Sequence, residues 1–231
     1  DGDNFLKTTV ASGELGLDIY FDYQPGDTLS YSFDYRIPTN NNINLENPAF
    51  MLRVRRQPID QSENFISAYR EESYFLTNNP YAQLIVDDNW HNITISWDYS
   101  ASGHSSGSFT GAQIANGTTV YLDGTDVSNY TGNGGSEPLF DIDRINVGRN
   151  VSGTGAPACS HDELAYWAGH ALSSTEAGLI YNSGTIVDLE NTTGLTVPTK
   201  WFRFEDSGNQ DLDTIGDADS GTVTNGTTTA Y

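Results

Sequence analysis

An all-β fold, two antiparallel sheets stacked as a sandwich with one short helix near residues 173–182, is what this 231-residue sequence predicts. Short runs alternate apolar and polar side chains with period two, which turns one set inward and the other to solvent. Clusters of Gly, Asn, Asp and Ser punctuate those runs, and only one stretch carries a convincing helix start. The apolar fraction is a low 36% but the aromatic fraction is 12%. That mixture suits a thin core filled by Tyr, Phe and Trp and argues against disorder.

The predicted strands follow in order. They are Thr28–Arg36, Phe50–Arg56, His91–Trp97, Thr118–Asp123, Arg144–Gly148, Glu163–Trp167 and Lys200–Glu205. Asp123-Gly124 directly after a strand is a tight-turn signal. Ser173-Ser-Thr-Glu176 reads as a capping box opening the helix, with Asn182 and Gly184 closing it. The Asn-rich stretch 40–44 and the Gly/Ser stretch 100–110 read as exposed loops. No tandem repeat or long linker divides the chain.

Acidic residues number 31 against 10 basic ones, a formal charge of −21, and the only lysines are Lys7 and Lys200. Such a field repels nucleic acid and anionic membranes, so neither is an expected partner. Two readings fit it, an ordinary acidic surface or adaptation to brine. The single Cys159 permits no intrachain disulfide. No apolar run approaches the roughly 20 residues of a membrane helix, so no insertion is expected. The start at Asp1, without a basic leader region, reads as a mature or trimmed form.

Catalytic chemistry would have to come from the spacing of carboxylates, histidines and the thiol. A retaining glycosidase needs two carboxyl groups roughly 5–5.5 Å apart, which one strand face supplies as an alternating acidic cluster. Asp141 and Asp143 share such a face, but nothing acidic continues it. His91, His104, His161 and His170 have no metal-ligand spacing. Cys159 has no base partner in the pattern, and no phosphate-binding Gly loop occurs. The stretch 211–222 imitates a calcium loop but carries Ile at its fifth position and no acid at its twelfth, which rejects an EF-hand. No enzyme is therefore expected. Six glycosylation sequons, at Asn92, Asn116, Asn129, Asn150, Asn191 and Asn225, matter only in a glycosylating host.

Several ordered segments resemble laminin-G-like, concanavalin-A-like jelly rolls. Asp88-Asn-Trp-His-Asn-Ile-Thr-Ile-Ser-Trp97 looks like the family's Trp-His strand, and Thr119-Val-Tyr-Leu-Asp-Gly124 like its Tyr-x-Asp-Gly hairpin. Asp141–Gly148 is similar to the strand that follows. Asp162-Glu-Leu-Ala-Tyr-Trp167, with Ala171-Leu-Ser-Ser-Thr-Glu176 and Tyr181-Asn182, matches the family's closing motif. The set covers roughly residues 28–184.

The resemblance implies a jelly roll whose Trp90, Trp97 and Trp167 turn inward between the sheets. Its usual opening signature stands instead at the C-terminus, in Trp201–Glu205, Asp213–Gly216 and Gly221–Thr227. That implies one domain over 1–231 in which strands from 199–231 complete the sheet. The alternatives are a truncated second repeat or pairing with a neighbouring subunit. It further implies a structural calcium (Ca2+) ligated first by Asp162 and second by Asp3, the alternative being that Asp162 accepts backbone hydrogen bonds. Similar jelly rolls occur in structural proteins of marine and halophilic tailed viruses and in secreted adhesins. The implied role is a non-enzymatic extracellular or virion-surface module whose partners are capsid, fibre or cell-surface proteins, glycans, or copies of itself. A secreted cellular lectin is the alternative. Candidate sugar platforms are Tyr69, Tyr74, Tyr81, Tyr99 and Tyr130.

Overall fold

The computed structural model describes the backbone over residues 4–8, 16–23, 28–36, 50–56, 61–68, 87–103, 105, 109–128, 136–137, 141–147, 159–203, 221–224 and 227–230. Side chains are described over 28–36, 87–103, 105, 112–113, 116–128 and 160–203. The strands, in chain order, begin with β1 (Asn4–Thr8), β2 (Gly16–Tyr23), β3 (Leu29–Arg36), β4 (Phe50–Arg56) and β5 (Gln61–Ala68). Next come β6 (Trp90–Trp97), β7 (Phe109–Thr110), β8 (Thr118–Leu122), β9 (Thr125–Asp126) and β10 (Ser136–Glu137). The remainder are β11 (Asp141–Val147), β12 (Cys159–Ala168), β13 (Lys200–Phe202), β14 (Gly221–Thr224) and β15 (Thr227–Ala230).

The chain is all-β, as its sequence pattern predicts. One antiparallel sheet runs β15-β1-β12-β3-β6-β8-β9, with β13 also on β12, and a second runs β14-β2-β11-β4-β5. Strands from the C-terminal region thus pair at both ends of the chain: β13 with β12, β14 with β2, and β15 with β1.

The helix, α2 (Ser174–Tyr181), lies where the capping box puts it. The Ser173 hydroxyl accepts from the Glu176 amide while the Glu176 carboxylate accepts from the Ser173 amide. Asn182 closes it in the left-handed region, φ 42°. An additional short helix, α1 (Gly111–Gly117), follows the stretch read as loop. It ends against β6: the Asp98 amide donates to the Gly117 carbonyl at 2.7 Å. A Cβ on Gly117 would overlap the Trp97 ring, so glycine here permits a close approach. Asp123 and Gly124, both with positive φ, make the anticipated two-residue turn between β8 and β9. Among the described residues no helix is long and apolar enough to cross a membrane.

Register assigns each side chain of the first sheet to a face. Tyr31, Phe33 and Tyr35 of β3 stand beside Ile95, Ile93 and His91 of β6. Leu122, Val120, Leu164 and Phe202 extend this apolar face across β8, β12 and β13. Phe33, Tyr35, Ile93, Val120 and Phe202 are completely buried, so a second layer must cover them. His161 belongs to the same face, edge-on to Phe33, and burial lowers its pKa to about 3, so it stays neutral.

The opposite face carries short polar residues. Ser30, Ser32 and Asp34 lie beside Ser96, Thr94 and Asn92. Thr94 Oγ1 donates to Ser32 Oγ (2.8 Å) and Ser30 Oγ to Ser96 Oγ (3.0 Å), which satisfies this buried ladder. A smaller apolar cluster sits over it, formed by Ala165, Trp167, Leu172, Leu189, Leu195 and Trp201, with Leu179, Ile180 and Val187 packed on it. The segment 185–199 supplies part of that cover, held by the Trp167 indole N–H donating to the Thr196 carbonyl (2.6 Å).

This arrangement corrects the expectation that the three tryptophans share one interior. Trp97 is opposite Leu29 on the large apolar face, whereas Trp167 is opposite Ser30 on the other face. Trp90 and Trp97 are seven residues apart on a regularly paired strand, and an odd separation puts them on opposite faces.

Candidate functional site

The first sheet ends, on its polar face, in a small cavity between the strands and the chain that follows α2. Its floor is Asp34 on β3, Asn92 on β6 and Glu163 on β12. Its walls include Trp90, Ile180, Tyr181 and Ile186. The cavity volume is about 40 Å³, room for a few water molecules or one small chemical group.

A β-bulge creates the acidic floor. Asp162 pairs with Asp34, but the register slips before Ala165 meets Ser32, and Glu163 sits in the slip with φ 51°. Regular alternation would send Glu163 to the apolar face; the extra residue re-aims it toward the cavity. Its carboxylate is held by two neighbours from β13 and its exit. The Trp201 Nε1–H donates to Glu163 Oε2 at 2.6 Å, and Arg203 Nε lies 3.5 Å from Oε1. The Arg203 guanidinium in turn stacks over the Trp201 ring at 4.9 Å. Across the floor the Asn92 amide donates to Asp34 Oδ1 at 2.8 Å and to Ser32 Oγ at 3.1 Å.

Both carboxyl groups are poor acids here. Burial raises Asp34 to about 6, against the Asn92 hydrogen bond and with help from the Asp123 charge. Burial raises Glu163 to about 7, opposed by Arg203 and the Trp201 hydrogen bond and reinforced by Asp34. The floor therefore takes up protons near neutral pH, unlike ordinary surface carboxylates. Searching single strands for paired carboxyls misses this pair, because its members come from adjacent strands. One signal was present: consecutive Asp162 and Glu163 inside an aromatic strand cannot both leave the core without a bulge.

The sequence-selected residues fall elsewhere. Asp162 is buried, and its Oδ1 accepts from the Glu163 amide at 3.0 Å, the backbone role named as its alternative. Asp3 lies outside the described residues. Among the described residues no group of three His, Cys, Asp or Glu side chains, Asp162 included, is placed to hold a metal ion. Tyr69, Tyr74, Tyr81 and Tyr130 also lie outside the described residues, and Tyr99 is half-buried away from the cavity. Asn92 is buried with its amide in use, which leaves no room for a glycan on that sequon.

His91 marks a second polar cluster beside the cavity. Its Nδ1 lies 2.8 Å from Asp123 Oδ2 and its Nε2 2.9 Å from Asp87 Oδ1. Carboxylates only accept, so both ring nitrogens carry protons and the ring is cationic. Burial lowers its pKa, but the hydrogen bonds and charges of Asp123 and Asp87 outweigh it and leave a net rise. This bridge ties the β8–β9 turn to the residues entering β6.

No family model matches the chain, and no curated protein matches it. Several solved structures are similar in shape. One is the native heptameric SAP-like pentraxin from Limulus polyphemus: 10% identity, 78% of this chain and 82% of that one, TM-score 0.42. Another is the botulinum neurotoxin serotype G binding domain, at 17% identity, 71% of this chain, 38% of that one and TM-score 0.39. A third is domain 4 of an extracellular arabinanase from Geobacillus stearothermophilus in complex with arabinotriose: 14% identity, 68% and 69% coverage, TM-score 0.36.

Proposed function

We propose that the chain is a non-enzymatic binding module, exposed on a virion or outside a cell, that takes glycans at the cavity between Trp90 and Tyr181. The observation that carries this reading is the cavity's make-up: half-buried aromatic rings at the wall above an amide and two carboxyls. Sugars offer an apolar ring face to aromatics and hydroxyls to polar groups that fix orientation. At about 40 Å³ the cavity admits one hydroxyl or hydroxymethyl substituent while the sugar ring rests over its mouth.

The carboxyl pair favours one rival, glycoside cleavage, but so small a space cannot seat a bond flanked by two rings. Glycan-array screening of the wild type beside Trp90→Ala tests the reading. Binding that the substitution abolishes supports it; an array blank for both refutes it, and reducing ends released from a bound glycan would turn it into an enzyme.

The capsid, fibre or cell-surface partners and self-association belong to the same proposal. The acidic, lysine-poor composition agrees with a virion-surface setting, and native mass spectrometry would read the oligomer. The single-domain layout over 1–231 is likewise proposed, supported by the pairing of β13, β14 and β15 with earlier strands. A calcium on Asp162 and Asp3 is proposed from family resemblance alone. Thermal unfolding in calcium and in chelator would test it, and identical curves would remove it.

A further inference from the structure

We propose that Asn191 is an N-glycosylation acceptor, the amide to which a lipid-pyrophosphate-linked oligosaccharide is transferred when the chain passes through a glycosylating export route. The inference does not rest on the cavity, which Asn191 does not line.

An acceptor sequon must present two groups together at the surface, the Asn amide and the hydroxyl two residues on. Asn92, Asn116 and Asn191 lie among the described residues, and they differ in this respect. Asn92 and Thr94 are both buried in β6, where the Thr94 hydroxyl is taken up by Ser32 and Asn92. Asn116 is exposed, but Gly117 and Thr118 behind it are buried, with Gly117 against the Trp97 ring. Asn191 and Thr193 are both exposed. Asn129, Asn150 and Asn225 lie outside the described residues.

The local packing explains why this sequon stands outward. Leu189 and Leu195 are buried and fasten the segment at either side, while residues 190–194 turn between them with exposed or half-buried side chains. Asp188 sets the first turn: its Oδ1 accepts from the Glu190 and Asn191 amides at 3.0 and 3.1 Å, and its backbone carbonyl accepts from the Thr192 hydroxyl at 2.6 Å. Gly194, with φ 88°, turns the chain back toward Leu195. A bulky group on Asn191 therefore extends into solvent and displaces no core contact.

The chemistry of the amide also permits the change. Asn191 Nδ2 donates one hydrogen to Asp188 Oδ2 at 2.9 Å. Transfer forms a bond from that nitrogen to the anomeric carbon of the sugar and breaks the carbon's bond to the lipid pyrophosphate, which leaves with the electron pair. The nitrogen gives up one hydrogen as a proton and keeps the other, which remains available to Asp188.

The test is site mapping of the full chain secreted from insect cells. Enzymatic sugar release in heavy-oxygen water converts each occupied Asn to a labelled Asp, which peptide mass spectrometry locates. Asn191 should carry the label in most secreted molecules, with Asn92 and Asn116 unlabelled. Thr193→Ala, a change at an exposed position that keeps Asn191, should lose that label and leave the melting midpoint at that of the deglycosylated wild type. An unlabelled Asn191 overturns the proposal, as does a label that survives Thr193→Ala or one of equal strength at Asn92 or Asn116. Should secretion fail, the same mapping decides on folded, unglycosylated protein incubated with purified oligosaccharyltransferase and its lipid-linked donor. An unmodified Asn191 leaves the glycan-binding reading standing, and a blank glycan array leaves the acceptor standing.

Discussion

Replacing Glu176 by Gln tests how the cover over the polar face of the sheet is fastened. Glu176 is 8% exposed, yet its carboxylate accepts from five donors. Ser173 gives its amide and hydroxyl, both at 2.9 Å, and His170 gives Nε2–H at 2.8 Å. Thr196 adds its hydroxyl at 2.9 Å and its amide at 3.3 Å. The side chain therefore joins the start of α2 to the segment that carries the Trp167 acceptor. Burial alone would raise its pKa, but these hydrogen bonds overcome it and bring the group from 4.5 to about 2.

A depression of that size corresponds to about 3 kcal/mol of folding stability at neutral pH. Because the folded pKa lies below the unfolded one, the contribution is complete above pH 4.5 and disappears as the pH falls through about 2. Glutamine keeps the volume but turns an amide N–H₂ toward donors, so Glu176→Gln should lose about 2–3 kcal/mol at pH 7. By pH 3 the loss should shrink by about half. Urea unfolding followed by tryptophan fluorescence at the two pH values measures both numbers. A loss below about 0.5 kcal/mol, or one equal at pH 7 and pH 3, would refute the fastening argument.

Three further outcomes are expected. His91→Gln removes a cation clamped between Asp87 and Asp123 and should cost about 1 kcal/mol at pH 6, where the ring is charged. Its folded pKa is raised, so the gap to wild type should close as the pH climbs through that value; a gap constant from pH 6 to pH 9 contradicts the cationic bridge. Gly117→Ala drives a methyl into the Trp97 ring and to within 2.9 Å of the Asp98 carbonyl oxygen, for a loss of about 1–3 kcal/mol in chemical denaturation. An unchanged midpoint would show that the α1–β6 approach is looser than described. Deleting residues 199–231 takes away the strands paired with β12, β2 and β1 and leaves their edges open, so the product should aggregate or oligomerise. A monomer of wild-type stability in size-exclusion and melting experiments would defeat the single-domain layout.

Much of the first sheet was legible because its signals are local. Period-two alternation marks β3, β6 and β8, Asp123-Gly124 can form its turn without help, and Ser173 to Glu176 satisfy one another across a single helical turn. Fragments whose order depends on long-range pairing carry weaker local signals: β1, β2 and β5 have no turn or alternation pattern strong enough to mark them, and the Gly-bounded α1 has few helix-favouring residues. Glu163 is the sharper case. Its neighbours in sequence are Asp162 and Leu164, and nothing in that spacing tells which of them a bulge will displace.

The sequence by itself determined the all-β class, the one capped helix and an acidic surface, since each follows from composition or from residues a few positions apart. Only the tertiary structure decided that Trp97 and Trp167 serve different cores and that Asp34 and Glu163 line one cavity with Trp90 and Tyr181. Those facts depend on the register between strands distant in sequence, and a one-residue slip in that register moves a side chain from one face of a sheet to the other.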